Sequence, residues 1–359
     1  MAKRPQTHPK THPKTRKNVK RINLALQGGG AHGAFTWGVL DRLLEHEEVE
    51  IAAISGTSAG ALNGAALAAG LTRGGRDEAK KTLDALWEDM GAVSDMRLDA
   101  WMSQFGPATA VVAGMMRASM PFLDSIATLT SPYVYGPFYQ NPLAAVVENF
   151  DYEALCATDG PALFISTTNV RTGKIRVFTD GDVTTDVILA SACLPELFQA
   201  VQITDPETGI TDPYWDGGYT GNPALFPLFE PQFPQDVVIV NINPLERPGT
   251  PKSPEEIQNR INEISFNSSL LRELRAVQFV RDLIAEHRLP EGAMKDVLVH
   301  MIADDDLMRE LSATTKMVPS PLLLSRMKEA GRDACDRFLA AHFDDLGTNA
   351  SVDLQQMFG

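Results

Sequence analysis

Ile22-Asn23-Leu24-Ala25-Leu26 runs into Gly28-Gly29-Gly30-Ala31-His32-Gly33, and Ile51-Ala52-Ala53-Ile54 runs into Gly56-Thr57-Ser58-Ala59-Gly60. Each apolar run has the length and composition of a buried strand and ends in a glycine-flanked turn. Each turn is followed by apolar residues at helical spacing: Phe35, Val39, Leu40, Leu43 and Leu44 after the first, and the small-residue stretch Ala59 to Ala69 after the second. Strand, turn and helix in alternation predict a parallel sheet covered on both faces, with both turns at the same sheet edge.

Working outward, Asp77 to Met90 reads as a further helix. From 99 to 136 the character changes, because Trp101, Met102, Phe105, Met115, Met116, Met120 and Phe122 sit among prolines and glycines. This stretch is read as a helical insertion, or as a methionine-rich cap over an apolar site. Ala162–Thr168 and Lys174–Thr179 flank Arg171-Thr172-Gly173 as a hairpin. Val201–Ile203 and Tyr214–Trp215 bracket a polar turn and lead to Asp216-Gly217-Gly218. Ser253-Pro254-Glu255-Glu256 is a capping box opening a helix to His287, with an interruption expected at Asn267-Ser268. A last strand, Val297–Ile302, and a closing helix from Pro321 complete a C-terminal, mainly helical extension over 251–359. With no linker or repeat in the body, residues 22–359 read as a single domain behind a basic tail, 1–21.

At 359 residues the chain can bury a full core, and its net charge of −14 is unevenly spread. Residues 1–21 carry eight Lys or Arg and no acid, leaving 24 basic against 46 acidic residues in the body. That balance excludes nucleic acid as a partner of the body. The tail has no apolar core of a secretion signal and is read as a disordered arm, solubilising or touching anionic lipid. No apolar run is long enough to span a membrane. Three cysteines without metal or disulfide spacing suit a reducing, cytoplasmic setting, at most peripheral to a lipid surface. Asp304-Asp305-Asp306 lacks calcium-loop spacing, so neither metal nor cofactor is expected.

Three turns are candidates for chemistry. In Gly56-Thr57-Ser58-Ala59-Gly60 the small residues allow a sharp strand-to-helix turn that presents the Ser58 hydroxyl as a nucleophile at the helix N-terminus. Gly28, Gly29 and Gly30 follow a strand with no side chains in the way, so their N–H groups can converge on an oxyanion. Gly28, Gly30 and Gly33 also fit the G-x-G-x-x-G dinucleotide turn, although Ser55-Gly56 stands where that fold needs an acid. For the base, His300 would complete a Ser, Asp, His order of α/β-hydrolase type, whereas Asp216 ends a strand and could act beside the serine directly.

In order and separation, Gly28 to Gly33, Gly56 to Gly60 and Asp216 to Gly218 resemble the patatin-like phospholipases, over roughly Asn23 to Pro223. The resemblance implies a three-layer α/β/α fold with a mostly parallel central sheet and hydrolysis of lipid acyl esters by a Ser58–Asp216 dyad without catalytic histidine. It also implies oxyanion donors at Gly28, Gly29 and Gly30. The family often carries Lys or Arg where this chain has His32, so His32 is expected to put a charge that titrates near neutrality beside the oxyanion turn.

Overall fold

The computed structural model describes residues 19–103, 131–133, 139–157, 159–290, 292–311, 315–316 and 318–358, with the side chains of 93–103 and Glu255 left aside. The insertion expected at 99–136 therefore lies largely outside the described residues, as does the tail up to residue 18.

Eight strands form one sheet: β1 (Lys20–Leu26), β2 (Val49–Gly56), β3 (Ala162–Asn169), β4 (Ile175–Thr179), β5 (Val201–Thr204), β6 (Thr211–Asp216), β7 (Asp236–Asn241) and β8 (Leu298–Ala303). The order is β5-β6-β3-β2-β1-β7-β8, with β4 paired to β3. The run from β3 to β8 is parallel, and the β3–β4, β3–β6 and β5–β6 pairs are antiparallel. Strand β1 takes in Lys20 and Arg21, which the sequence reading gave to the tail. Lys20 donates its N–H to the Glu48 carbonyl, and Arg21 pairs with Glu50 on β2.

The two faces of the sheet are covered by different parts of the chain. Ile22, Leu24 and Leu26 of β1 and Val238 and Val240 of β7 point to one side. There they meet α1 (Gly33–Leu43), α2 (Ala59–Ser103), α3 (Thr185–Ser191) and α6 (Pro321–His342). Ala25, Ala53, Val237, Ile239 and Val299 point to the other side, against Leu270, Leu274 and Val277 of α4 (Pro254–Ala285). Period-2 alternation in each strand thus gives three layers, α/β/α. A short helix, α5 (Asp305–Glu310), follows β8.

Two details depart from the sequence reading. Helix α2 is broken at Gly74–Gly75, where Gly75 has φ +74°, into the two helices expected over Ala59–Ala69 and Asp77–Met90, and departs from the expectation in continuing to Ser103. Helix α4 opens with the expected Ser253–Glu256 capping box, yet runs through Asn267-Ser268 unbroken. The Asn267 side chain points inward, donating to the Asn243 and Pro244 carbonyls and accepting from Gln27, while the Ser268 hydroxyl bonds back to the Ser265 carbonyl. Asn267 thus turns away from the helix backbone, while Ser268 shares a carbonyl of its own helix without breaking it.

Candidate active site

The register of β3 brings the distant motifs together. One edge of β3 is filled by β4; the opposite edge is shared by β2, which ends at Gly56 opposite Ile165, and β6, which ends at Asp216 opposite Thr167. Since β2 runs parallel to β3 and β6 antiparallel, their C-termini face each other two residues apart along β3. Ser58 and Asp216, 158 positions apart in the chain, are thereby placed side by side.

Ser58 sits at φ +55°, a left-handed conformation rarely adopted by non-glycine residues. Both flanking glycines make this turn possible. A Cβ on Gly56 would come within 2.5 Å of the Gly60 carbonyl, and one on Gly60 within 2.1 Å of the Leu26 carbonyl. The strained residue is held from behind. Its N–H donates to Ser191 Oγ at 2.9 Å, and that hydroxyl donates to the Ser166 carbonyl at 2.8 Å. Helix α2 starts at Ala59, so the positive end of its dipole lies at the serine.

Asp216 is 1% exposed. Its N–H is held by the Cys193 carbonyl and its own carbonyl by Thr168 Oγ1, both at 2.8 Å. Oδ1 accepts from the Gly218 N–H at 2.7 Å, whereas Oδ2 is buried with no hydrogen-bond partner among the described residues. Burial pushes the carboxyl up to about 7, opposed by the Gly218 N–H and by the neighbouring Ser58 hydroxyl. Ser58 is thus close enough to act on the carboxyl electrostatically, although its hydroxyl does not occupy Oδ2 with hydrogen-bond geometry.

The glycine turn abuts the serine, since a Cβ on Gly28 would stand 2.7 Å from Ser58 Cβ. Its three N–H groups are not equivalent. Gly28 N–H is already bound, donating to Asn222 Oδ1 at 2.7 Å, so the expectation of three oxyanion donors is corrected at this position. Gly29 and Gly30 N–H donate to no group among the described residues. Gly28's contribution is room for the serine.

His32 also differs from expectation. It is 1% exposed, and burial together with the charges of Lys316 and Arg247 lowers its pKa to about 3. It is therefore neutral at neutral pH, with Nε2 against Thr315 Oγ1 at 2.8 Å, and puts no titrating charge beside the turn. His300 lies on β8, three strand positions or about 14 Å from β2. It is fully buried between Asp236 Oδ1 at 3.0 Å and Ser351 Oγ at 3.1 Å. The Ser, Asp, His alternative is therefore not assembled: the carboxylate that His300 meets is Asp236, not Asp216. The dinucleotide alternative loses its support as well, because β2 ends on buried Ser55-Gly56 and the glycines pack against Ser58, Ile242 and the Lys316 carbonyl.

Three positioning side chains had no assigned role in the sequence reading: Ser191, Asn222 and Asn243. Asn243 follows β7 at the same sheet edge and donates to the Gly28 carbonyl at 2.8 Å. The one available signal was position, a polar residue just beyond the C-terminal end of a parallel strand. Among the described residues no group of three or more His, Cys, Asp or Glu is placed to hold a metal ion, and no helix is long and apolar enough to cross a membrane.

No curated protein matches the chain. Among solved structures it aligns with VipD from Legionella pneumophila at a TM-score of 0.39 and 15% identity, over 90% of this chain and 67% of that one. The family model described as "Patatin-like phospholipase" matches residues 24–229, which include all three glycine-flanked turns. The chain belongs to the patatin-like phospholipase family, hydrolases of lipid and ester substrates.

Proposed function

We propose that this protein hydrolyses lipid acyl esters through an acyl-enzyme on Ser58, with Asp216 as the base. The observation that carries this reading is the pairing of a strained, helix-capping serine with a buried carboxylate whose Oδ2 has no other partner. Asp216 takes the Ser58 proton as Oγ attacks the ester carbonyl. The Gly29 and Gly30 N–H groups and the N-terminus of α2 stabilise the oxyanion. Asp216 then returns the proton to the departing alcohol, and a water activated by the same carboxylate releases the acid. A carboxyl near 7 suits both transfers far better than an ordinary aspartate at about 3.9. Peripheral contact with lipid, through the basic tail or the 99–136 stretch, belongs to the same reading.

A fluorophosphonate probe is expected to label the wild type and to leave Ser58→Ala unlabelled, with the fold unchanged by circular dichroism. Hydrolysis of micellar phospholipid above that of a monomeric short-chain ester would show the surface contact. Labelling that persists in Ser58→Ala would remove Ser58 from the mechanism.

A further inference from the structure

Lys316 lies outside the family-matched region, in the short segment between α5 and α6, yet it packs on the glycine turn at Gly30 and reaches Gly28 through Asn243. Its carbonyl oxygen is 2.2 Å from where a Cβ on Gly30 would be, so the backbone there packs on the bare Cα of Gly30. Its Nζ donates to Asn243 Oδ1 at 3.0 Å. Asn243 in turn donates to the Gly28 carbonyl at 2.8 Å, and its Oδ1 lies 3.7 Å from the Cβ position of Gly29. Lys316 is partly buried, and desolvation is the largest influence on its ammonium. Among the described residues no carboxylate is within ion-pair distance of it. Glu263, the acid whose charge acts on it, is committed to Arg247 and Arg260.

A desolvated cation without its own counter-ion is costly to keep. Here it stands beside the turn on which the proposed reaction develops negative charge. We infer that Lys316 is a positioning residue of the oxyanion turn: through Asn243 it fixes the peptide that joins Gly28 to Gly29, and through its own carbonyl it packs on Gly30, so that the Gly29 and Gly30 N–H groups point at the substrate, and its charge favours the oxyanion. His32, neutral in the same turn, leaves this role to a residue from the far end of the chain.

The inference rests on the ester-hydrolase reading and predicts a pH signature. Burial lowers the ammonium to about 8, with Glu263 opposing and Arg247 assisting; His32, which also faces it among the described residues, is neutral throughout this range. The charge is present below about pH 8 and lost above it, so kcat should fall on the alkaline side. The experiment is steady-state hydrolysis of 4-nitrophenyl butyrate from pH 6 to 9.5 by the full chain, with Ser58→Ala as the blank. Lys316→Met is expected to lower kcat at pH 7 by about 10- to 100-fold, short of the loss of a direct oxyanion donor. KM should move less than about threefold, since only the developing charge is affected, and the alkaline fall should vanish.

A folded Lys316→Met with wild-type kcat overturns the inference, and so does a slowed variant that keeps the alkaline fall, since its defect is then packing. If Lys316→Met does not fold, the wild-type profile decides: a kcat flat to pH 9.5, with the fold intact by circular dichroism, overturns it. A wild type no faster than the Ser58→Ala blank refutes the hydrolase reading itself, and this inference falls with it.

Discussion

Asp216 has two opposing consequences at the residue scale. Burial that raises its pKa to about 7 makes it a usable base, and the same burial penalises its charged form. The sign follows from linkage. A carboxyl whose folded pKa lies above its unfolded value of 3.8 binds its proton more tightly in the folded state, so the stability it confers is lost as pH rises through about 7. At 1.36 kcal/mol per pKa unit the penalty at alkaline pH reaches an upper bound of about 4 kcal/mol. Asp216→Asn keeps an oxygen for the Gly218 N–H but cannot take a proton. It should therefore lower kcat by at least about 10²-fold, while raising the thermal midpoint more at pH 8.5 than at pH 5 by calorimetry. The wild-type kcat/KM should rise on the acid side with a midpoint near 7. An inactive variant with no pH-dependent gain in stability would mean that the buried carboxyl is not titrating as described.

At the scale of elements, the strand–turn–helix unit of β2 and α2 works because three backbones converge where a side chain would stand. Gly60 meets the end of β1 at the Leu26 carbonyl, and Gly56 meets Gly60. Gly60→Ala would force a Cβ to 2.1 Å from that carbonyl and push α2 off β1. A loss of about 1–3 kcal/mol in urea denaturation is expected from such overpacking, together with slower fluorophosphonate labelling, because Ser58 moves with the helix. Gly181→Ala is the control, since nothing lies within 4 Å of its Cβ position and its φ is not left-handed. Equal effects at the two positions would remove the packing argument.

At the scale of the molecule, the family-matched region shares its sheet and its second core with the C-terminal part of the chain. Strand β1 is flanked by β2 on one side and by β7 on the other, pairing Asn23–Leu26 with Val237–Val240. The second core closes only when α4 covers Ala25, Ala53, Leu225 and Leu228. A chain ending at 250 keeps every proposed catalytic residue and β7, but loses β8, α4, Lys316 and α6. It should bury too little apolar surface to offset chain entropy. Expression of 1–250 should give aggregated or unfolded material by gel filtration and circular dichroism. A monomeric, cooperatively folded fragment would show that the C-terminal part is an accessory.

Local chemistry was sufficient for much of this protein. Apolar runs followed by glycine turns and helical spacing determined the parallel sheet, because period and turn residues are properties of neighbouring positions. Gly56 to Gly60 and Asp216-Gly217-Gly218 marked the proposed nucleophile and base for the same reason. What the sequence could not carry were relations between distant positions. The tertiary structure alone set β2 and β6 head to head along β3, occupied the Gly28 N–H with Asn222, and buried His32 neutral beside Lys316. It also joined His300 to Asp236 rather than to Asp216. Pairing, burial and the charge state of a desolvated group depend on what the fold brings within a few ångströms, and Lys316 sits 286 positions from the Gly30 that it packs against.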